Sequence, residues 1–115
     1  MAISPSNWYR IVCNGQELSF SEKGIAVVEL AGLRFCITFW RGEWIAFSFR
    51  CPHRGALLSE GRIDEGGNVV CPLHGQRYSL QTGACLSGEE YPLVRWKVEE
   101  RADGLYMEVK GLISS

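Results

Sequence analysis

Histidine is scarce in this chain of 115 residues, which has only two, and no apolar stretch exceeds strand length. The longest apolar-rich runs, Phe35 to Trp40 and Trp44 to Phe49, fall far short of the roughly 18 residues of a membrane span. A membrane anchor is therefore not expected. An excess of one charge is missing too: twelve Lys and Arg stand against thirteen Asp and Glu, for a net charge of -1. Phosphate binding needs a positive field that this balance does not supply, so nucleic acid is not an expected partner. The opening MAISPSNWYR has neither a positive start nor an apolar core, so it does not read as a secretory leader. A cytoplasmic setting is expected, where five cysteines would serve as ligands or core thiols rather than disulfides. No amphipathic helix longer than a turn or two can be traced.

What is present is alternation with a period of two. Leu33, Phe35, Ile37 and Phe39 share one face of a run, and Ile45, Phe47 and Phe49 one face of the next, which predicts paired strands. Arg41-Gly42 and Ala31-Gly32 suit the intervening tight turns. Near the C-terminus Val94, Trp96 and Val98, then Leu105, Met107 and Val109 around Asp103-Gly104, predict a further hairpin. A single all-β domain over 1–115 follows, built as a small sandwich or barrel, with a short helical turn at Ala56 to Ser59. Trp8, Trp40, Trp44 and Trp96 fall in strands and are expected in the core.

The segment from Arg50 to Gly88 breaks this pattern, holding seven of the 13 glycines and both histidines. Within it stand two matched loops, Cys51-Pro52-His53-Arg54-Gly55 and Cys71-Pro72-Leu73-His74-Gly75. Each supplies one thiol and one imidazole, and the residues between His53 and Cys71 suffice for a hairpin that brings both tips together. Asp64-Glu65-Gly66-Gly67-Asn68 provides its turn. The two Cys and two His could merely line a core, but the doubled arrangement favours a metal centre of four ligands. Two thiolates and two imidazoles suit tetrahedral zinc as well as an iron–sulfur cluster. Common zinc fingers pair cysteines first and histidines second, whereas here each loop contributes one of each.

Cys-x-His followed after seventeen residues by Cys-x-x-His resembles the Rieske [2Fe-2S] motif, in which two histidines replace two cysteines on one iron. Tyr78, Gln81-Thr82-Gly83 and Tyr91-Pro92-Leu93 extend the resemblance, and roughly Trp8 to Val109 fits such a domain. The resemblance implies a small Rieske-like β-sandwich or barrel with a cluster-binding subdomain at about 50–88. It also implies that Cys51 and Cys71 hold the inner iron while His53 and His74 hold the outer one. Two ferric ions, two sulfides and two thiolates sum to zero, so such a centre accepts an electron more readily than one with four thiolates. Potentials of about -150 to +300 mV, against about -400 mV for all-cysteine ferredoxins, follow that direction.

High-potential members carry an extra cysteine in each loop, where this chain has Ala56 and Leu73, so no disulfide clamps the loops. Gln76 stands where those proteins place a serine that donates to a sulfide, which points to the low end of the range. Tyr78 could donate its hydroxyl toward Cys71 or simply start a core strand. Cys13, Cys36 and Cys85 read as buried thiols.

The resemblance to stand-alone Rieske ferredoxins implies a one-electron carrier and not an enzyme. Electrons would pass from a flavin-containing NAD(P)H-dependent ferredoxin reductase to a terminal oxygenase. A small subunit of an assimilatory nitrite reductase and a zinc-stabilised interaction module are the alternatives. Arg50, Arg54, Arg62 and Arg77 flank the loops, with Asp64, Glu65, Glu89 and Glu90 farther out, a mixed rim suited to transient encounters.

Overall fold

The computed structural model describes residues 7–13, 18–52, 55–73, 75–87 and 92–109. His53, Arg54, His74, Glu89, Glu90 and Tyr91 lie outside them, as does the side chain of Cys13. Nine strands appear among the described residues, running β1 (Asn7–Cys13), β2 (Ala26–Leu30), β3 (Leu33–Trp40), β4 (Glu43–Ser48), β5 (Arg62–Ile63), β6 (Asn68–Val70), β7 (Arg77–Ser79), β8 (Arg95–Arg101) and β9 (Gly104–Val109). The one helical element described is a 3-10 turn at Leu58–Glu60, two residues beyond the start of the predicted turn. The fold is all-β, as the alternation requires.

Strands β2, β3 and β4 form a meander whose turns have positive φ at both central residues, 54° and 81° at Ala31-Gly32 and 49° and 85° at Arg41-Gly42. That is the turn geometry whose twist matches antiparallel strands. The last hairpin turns at Ala102-Asp103, one residue earlier than predicted, with Gly104 already paired to Arg101. The six-stranded sheet has the order β1-β9-β8-β4-β3-β2, and its outermost strands β1 and β2 touch. The sheet therefore curls upon itself. The pairs Ile45–Lys97, Ala46–Trp96 and Phe47–Arg95 join β4 to β8 and so its two halves. A second, three-stranded sheet, β5-β6-β7, carries the second cysteine loop.

Two cores result. Val28, Phe35, Ile37, Ala46 and Met107 fill the inside of the curl, while Cys36, Ile45, Phe47, Leu58, Val69, Tyr78 and Leu80 lie between it and the small sheet. The middles of β3 and β4 are thus covered on both faces, which one-sided alternation does not anticipate. Cys36 and Thr38 are buried, whereas Leu33 and Phe39, expected inside, are 50% and 51% exposed at the strand ends where neither core reaches. All four tryptophans are only half-buried. Trp40 sits at the junction of the two sheets, so close to Gly67 that a Cβ there would lie 2.7 Å from its indole nitrogen.

Candidate metal centre

Strand β4 runs straight into the first loop and β6 into the second, so the loops are the tips of two hairpins. Arg50 bridges Leu57 below the first, and Val70 pairs with Arg77 below the second. Both close identically. Cys51 N–H donates to Ala56 O at 2.7 Å and Gly55 N–H returns to Cys51 O at 2.8 Å; Cys71 N–H donates to Gln76 O at 2.8 Å and Gly75 N–H to Cys71 O at 3.0 Å. Gly55 and Gly75 both have φ of 74°, a conformation that costs a side-chain-bearing residue roughly 1–2 kcal/mol. The shared glycine at the fifth position of each loop is the sequence signal for this closure. A Cβ at either would meet no described atom within 4 Å.

Beneath them Cys51 and Cys71 are 3% and 2% exposed and belong to one core cluster. Tyr78, fully buried on β7, places its hydroxyl 3.3 Å from Cys51 Sγ. Of the two readings the sequence allows, a donor toward Cys71 or a core residue at a strand start, the second describes its burial on β7, and its hydroxyl meets the sulfur of the first loop. Burial, then the hydrogen bond to Cys51 and the neighbouring charges of Cys51, Cys85 and Cys71, push the phenol well above its ordinary pKa. It therefore remains a hydroxyl able to donate to a thiolate at Cys51.

Cys85 is half-buried against the same core, and its Sγ lies 3.7 Å from Gln76 Oε1, the residue whose carbonyl closes the second loop. Its contact with the loops could not be read from the sequence, because it depends on the isolated bridge between Tyr78 and Cys85. Cys36 behaves as expected of a core thiol, with burial raising its pKa to about 12.

The β5–β6 turn is held by Asp64, whose Oδ1 accepts the N–H groups of Gly66 and Asn68 at 2.9 and 3.0 Å. Desolvation raises this carboxyl, but bonds from Asn68 and Gly66 and the charge of Arg77 outweigh it and leave the pKa lowered. Sequence reasoning also missed a third turn of the same kind. Ser79 N–H donates to Ala84 O at 2.9 Å and Gly83 N–H to Ser79 O at 2.7 Å, with φ of 82° at Gly83. Its visible signal is Gly83, four residues after Ser79, as Gly55 follows Cys51.

Two buried sulfur donors set by turns with the same closing hydrogen bonds, with a phenol beside them, suit a thiolate-held iron–sulfur group. The two histidines, His53 and His74, lie outside the described residues.

The family model for the Rieske [2Fe-2S] domain matches residues 7–96. Pheophorbide a oxygenase from Oryza sativa subsp. japonica is 57% identical over 44 residues, 38% of this chain and 8% of that protein. The ferredoxin subunit of 3-phenylpropionate/cinnamic acid dioxygenase from Shigella boydii is 33% identical over 70 residues, 59% of this chain and 65% of that one. The chain thus spans less than two thirds of the length of either relative. Among solved structures, a chain from the complex of reduced oxygenase and oxidized ferredoxin in carbazole 1,9a-dioxygenase superposes with a TM-score of 0.70 at 25% identity, over 86% of this chain and 99% of that one. A structure assigned as an NADH-dependent nitrite reductase small subunit, from Mycobacterium tuberculosis, gives 0.73 at 20% identity over 91% and 96%. That likeness shows the fold alone.

Proposed function

This chain belongs to the Rieske [2Fe-2S] domain family, and we propose that it is a one-electron carrier whose cluster is held by Cys51, His53, Cys71 and His74. The observation that carries this reading is the pair of equivalent turns that bring two buried sulfur donors, Cys51 and Cys71, to one end of the molecule. A [2Fe-2S] group supplies reversible one-electron chemistry when bound. The chain's own residues exclude water from the sulfurs, donate the Tyr78 hydroxyl to Cys51, and leave the turn glycines with room for close approach. Each histidine would bind through one ring nitrogen and keep its other N–H toward solvent or a partner.

We assign the donor to a flavin-containing NAD(P)H-dependent reductase and the acceptor to a terminal oxygenase, with residues 1–115 acting as one domain in the cytoplasm. The dioxygenase ferredoxin subunit and the oxygenase–ferredoxin complex among the similar proteins support this pairing. A nitrite reductase small subunit is the second reading, favoured by the fold match over nearly the whole length of that chain. Co-purification with a large sirohaem-containing subunit would move the assignment there.

The test is iron and acid-labile sulfide content of anaerobically purified protein, with EPR of the dithionite-reduced state. Two irons, two sulfides and nitrogen coupling to the reduced iron are expected. Colourless protein with stoichiometric zinc, unchanged by reconstitution with iron and sulfide, would replace the carrier with the zinc-stabilised interaction module.

A further inference from the structure

We infer that the end of the molecule bearing the cysteine loops docks on an acidic face of a redox partner, with Arg34 and Arg50, stacked on Phe49, as its anchor. This inference rests on the carrier reading. The guanidinium carbons of Arg34 and Arg50 lie 5.9 and 6.0 Å from the centre of the Phe49 ring. Arg50 directly precedes Cys51, and its Nη1 donates to Gly55 O at 3.0 Å, which holds the charge against the first loop. The two arginines line a groove of ≈ 860 Å³ with Phe49 and the exposed Leu33; Glu29 is its acid. Beside the second loop a cavity of ≈ 300 Å³ is lined by Lys23, Arg62 and Cys71, with Glu60 as its acid. Among the described residues none of Arg34, Arg50, Lys23 and Arg62 enters an ion pair.

The other end of β4 differs. There a groove of ≈ 770 Å³ has Glu43, Glu99 and Glu100 against Arg95 and Lys97, while Arg10 is paired with Asp103 and Arg101 with Glu99. In a chain of net charge -1 the two grooves beside the loops thus hold four cations, unpaired among the described residues, against Glu29 and Glu60, whereas the third groove holds two cations against three acids. A guanidinium lying on an aromatic face is weakly hydrated and keeps its fork of donors free, so pairing it with a partner carboxylate involves little desolvation. Such a field steers an oppositely charged surface over about 8–10 Å at ordinary salt and orients the loops toward it.

The experiment is stopped-flow reoxidation of the dithionite-reduced holoprotein by two small oxidants of opposite charge, the trianion ferricyanide and the trication hexaammineruthenium(III). The ferricyanide rate should fall as salt is added, and Arg34→Glu with Arg50→Glu should slow it about tenfold at low salt. The charge-matched distal pair Lys97→Glu with Arg101→Glu should leave it within about twofold. Arg34→Gln with Arg50→Gln serves if the reversed pair misfolds, with roughly half the logarithmic effect. Independently of electron transfer, calorimetric titration with redox-inert hexacyanocobaltate(III) should show binding that the Arg34/Arg50 variants weaken and the distal ones do not. Equal effects of both pairs, or a ferricyanide rate that rises with salt, would overturn the docking face. A protein that neither oxidant reoxidises would overturn the carrier reading instead, and calorimetry would still decide the docking face.

Discussion

The turn at 79–84 closes with the same two backbone hydrogen bonds as the turns at 51–56 and 71–76, yet it carries no sulfur. Ser79 stands where the others have cysteine, and its Oγ accepts the amides of Gln81 and Thr82, both at 3.2 Å. Its glycine is also placed differently: a Cβ on Gly83 would lie 2.6 Å from Leu93 O, and Leu93 N–H donates to Gly83 O at 2.7 Å. One backbone design is thus used twice with a buried sulfur, and once packed against Leu93 as scaffold. What separates the proposed ligand turns from the structural one is the first residue and the surroundings, not the turn.

Exchanging the first residues gives the sharpest separation. Cys51→Ala or Cys71→Ala should abolish iron and sulfide retention, read as loss of visible absorbance, while Ser79→Ala should keep full iron content. Retention of two irons by either cysteine variant would remove the distinction. Next come the glycines. Gly83→Ala meets both a disfavoured φ and a backbone carbonyl and should destabilise by about 2–4 kcal/mol, whereas Gly75→Ala meets only the φ and should lose about 1–2 kcal/mol. Urea midpoints compared at constant m would show it; equal losses would mean that Leu93 yields freely.

A smaller effect lies at the phenol beside the first loop. Tyr78→Phe removes a donor to Cys51 Sγ whose bond strengthens as negative charge arrives on reduction, so the potential should fall. A differential of about 1 kcal/mol in that bond corresponds to about 40 mV for one electron, measurable by redox titration of the visible bands. An unchanged potential would make Tyr78 a packing residue only. Smallest is the stability loss in Ser79→Ala, about 1 kcal/mol for two amides left to water, seen as a lower thermal midpoint with unchanged spectra.

Much of this was legible in the chain. Alternation and the Ala31-Gly32 and Arg41-Gly42 steps determine the meander, because period-two burial and positive φ are local requirements. The doubled Cys-Pro loops with a glycine at the fifth place mark the proposed metal centre, since each loop closes within six residues. Tyr78 could be noticed but not aimed: which cysteine receives its hydroxyl depends on the register of β7 against β6, a contact across separate strands. The same holds for Cys85 against Gln76, for the exposure of Leu33 and Phe39 at the ends of β3, and for Trp40 lying on Gly67.

Charge shows the division most clearly. The sequence by itself determined a near balance of twelve cations and thirteen acids, with Arg50, Arg54, Arg62 and Arg77 flanking the loops in a mixed rim. Only the tertiary structure decided that Lys23 and Arg34 join Arg50 and Arg62 in the grooves beside the loops, with Glu29 and Glu60 and with no ion pair among the described residues, while Glu43, Glu99 and Glu100 line the groove at the other end of β4. Composition sums charges irrespective of position, whereas the field a partner meets depends on the distances that strand pairing imposes.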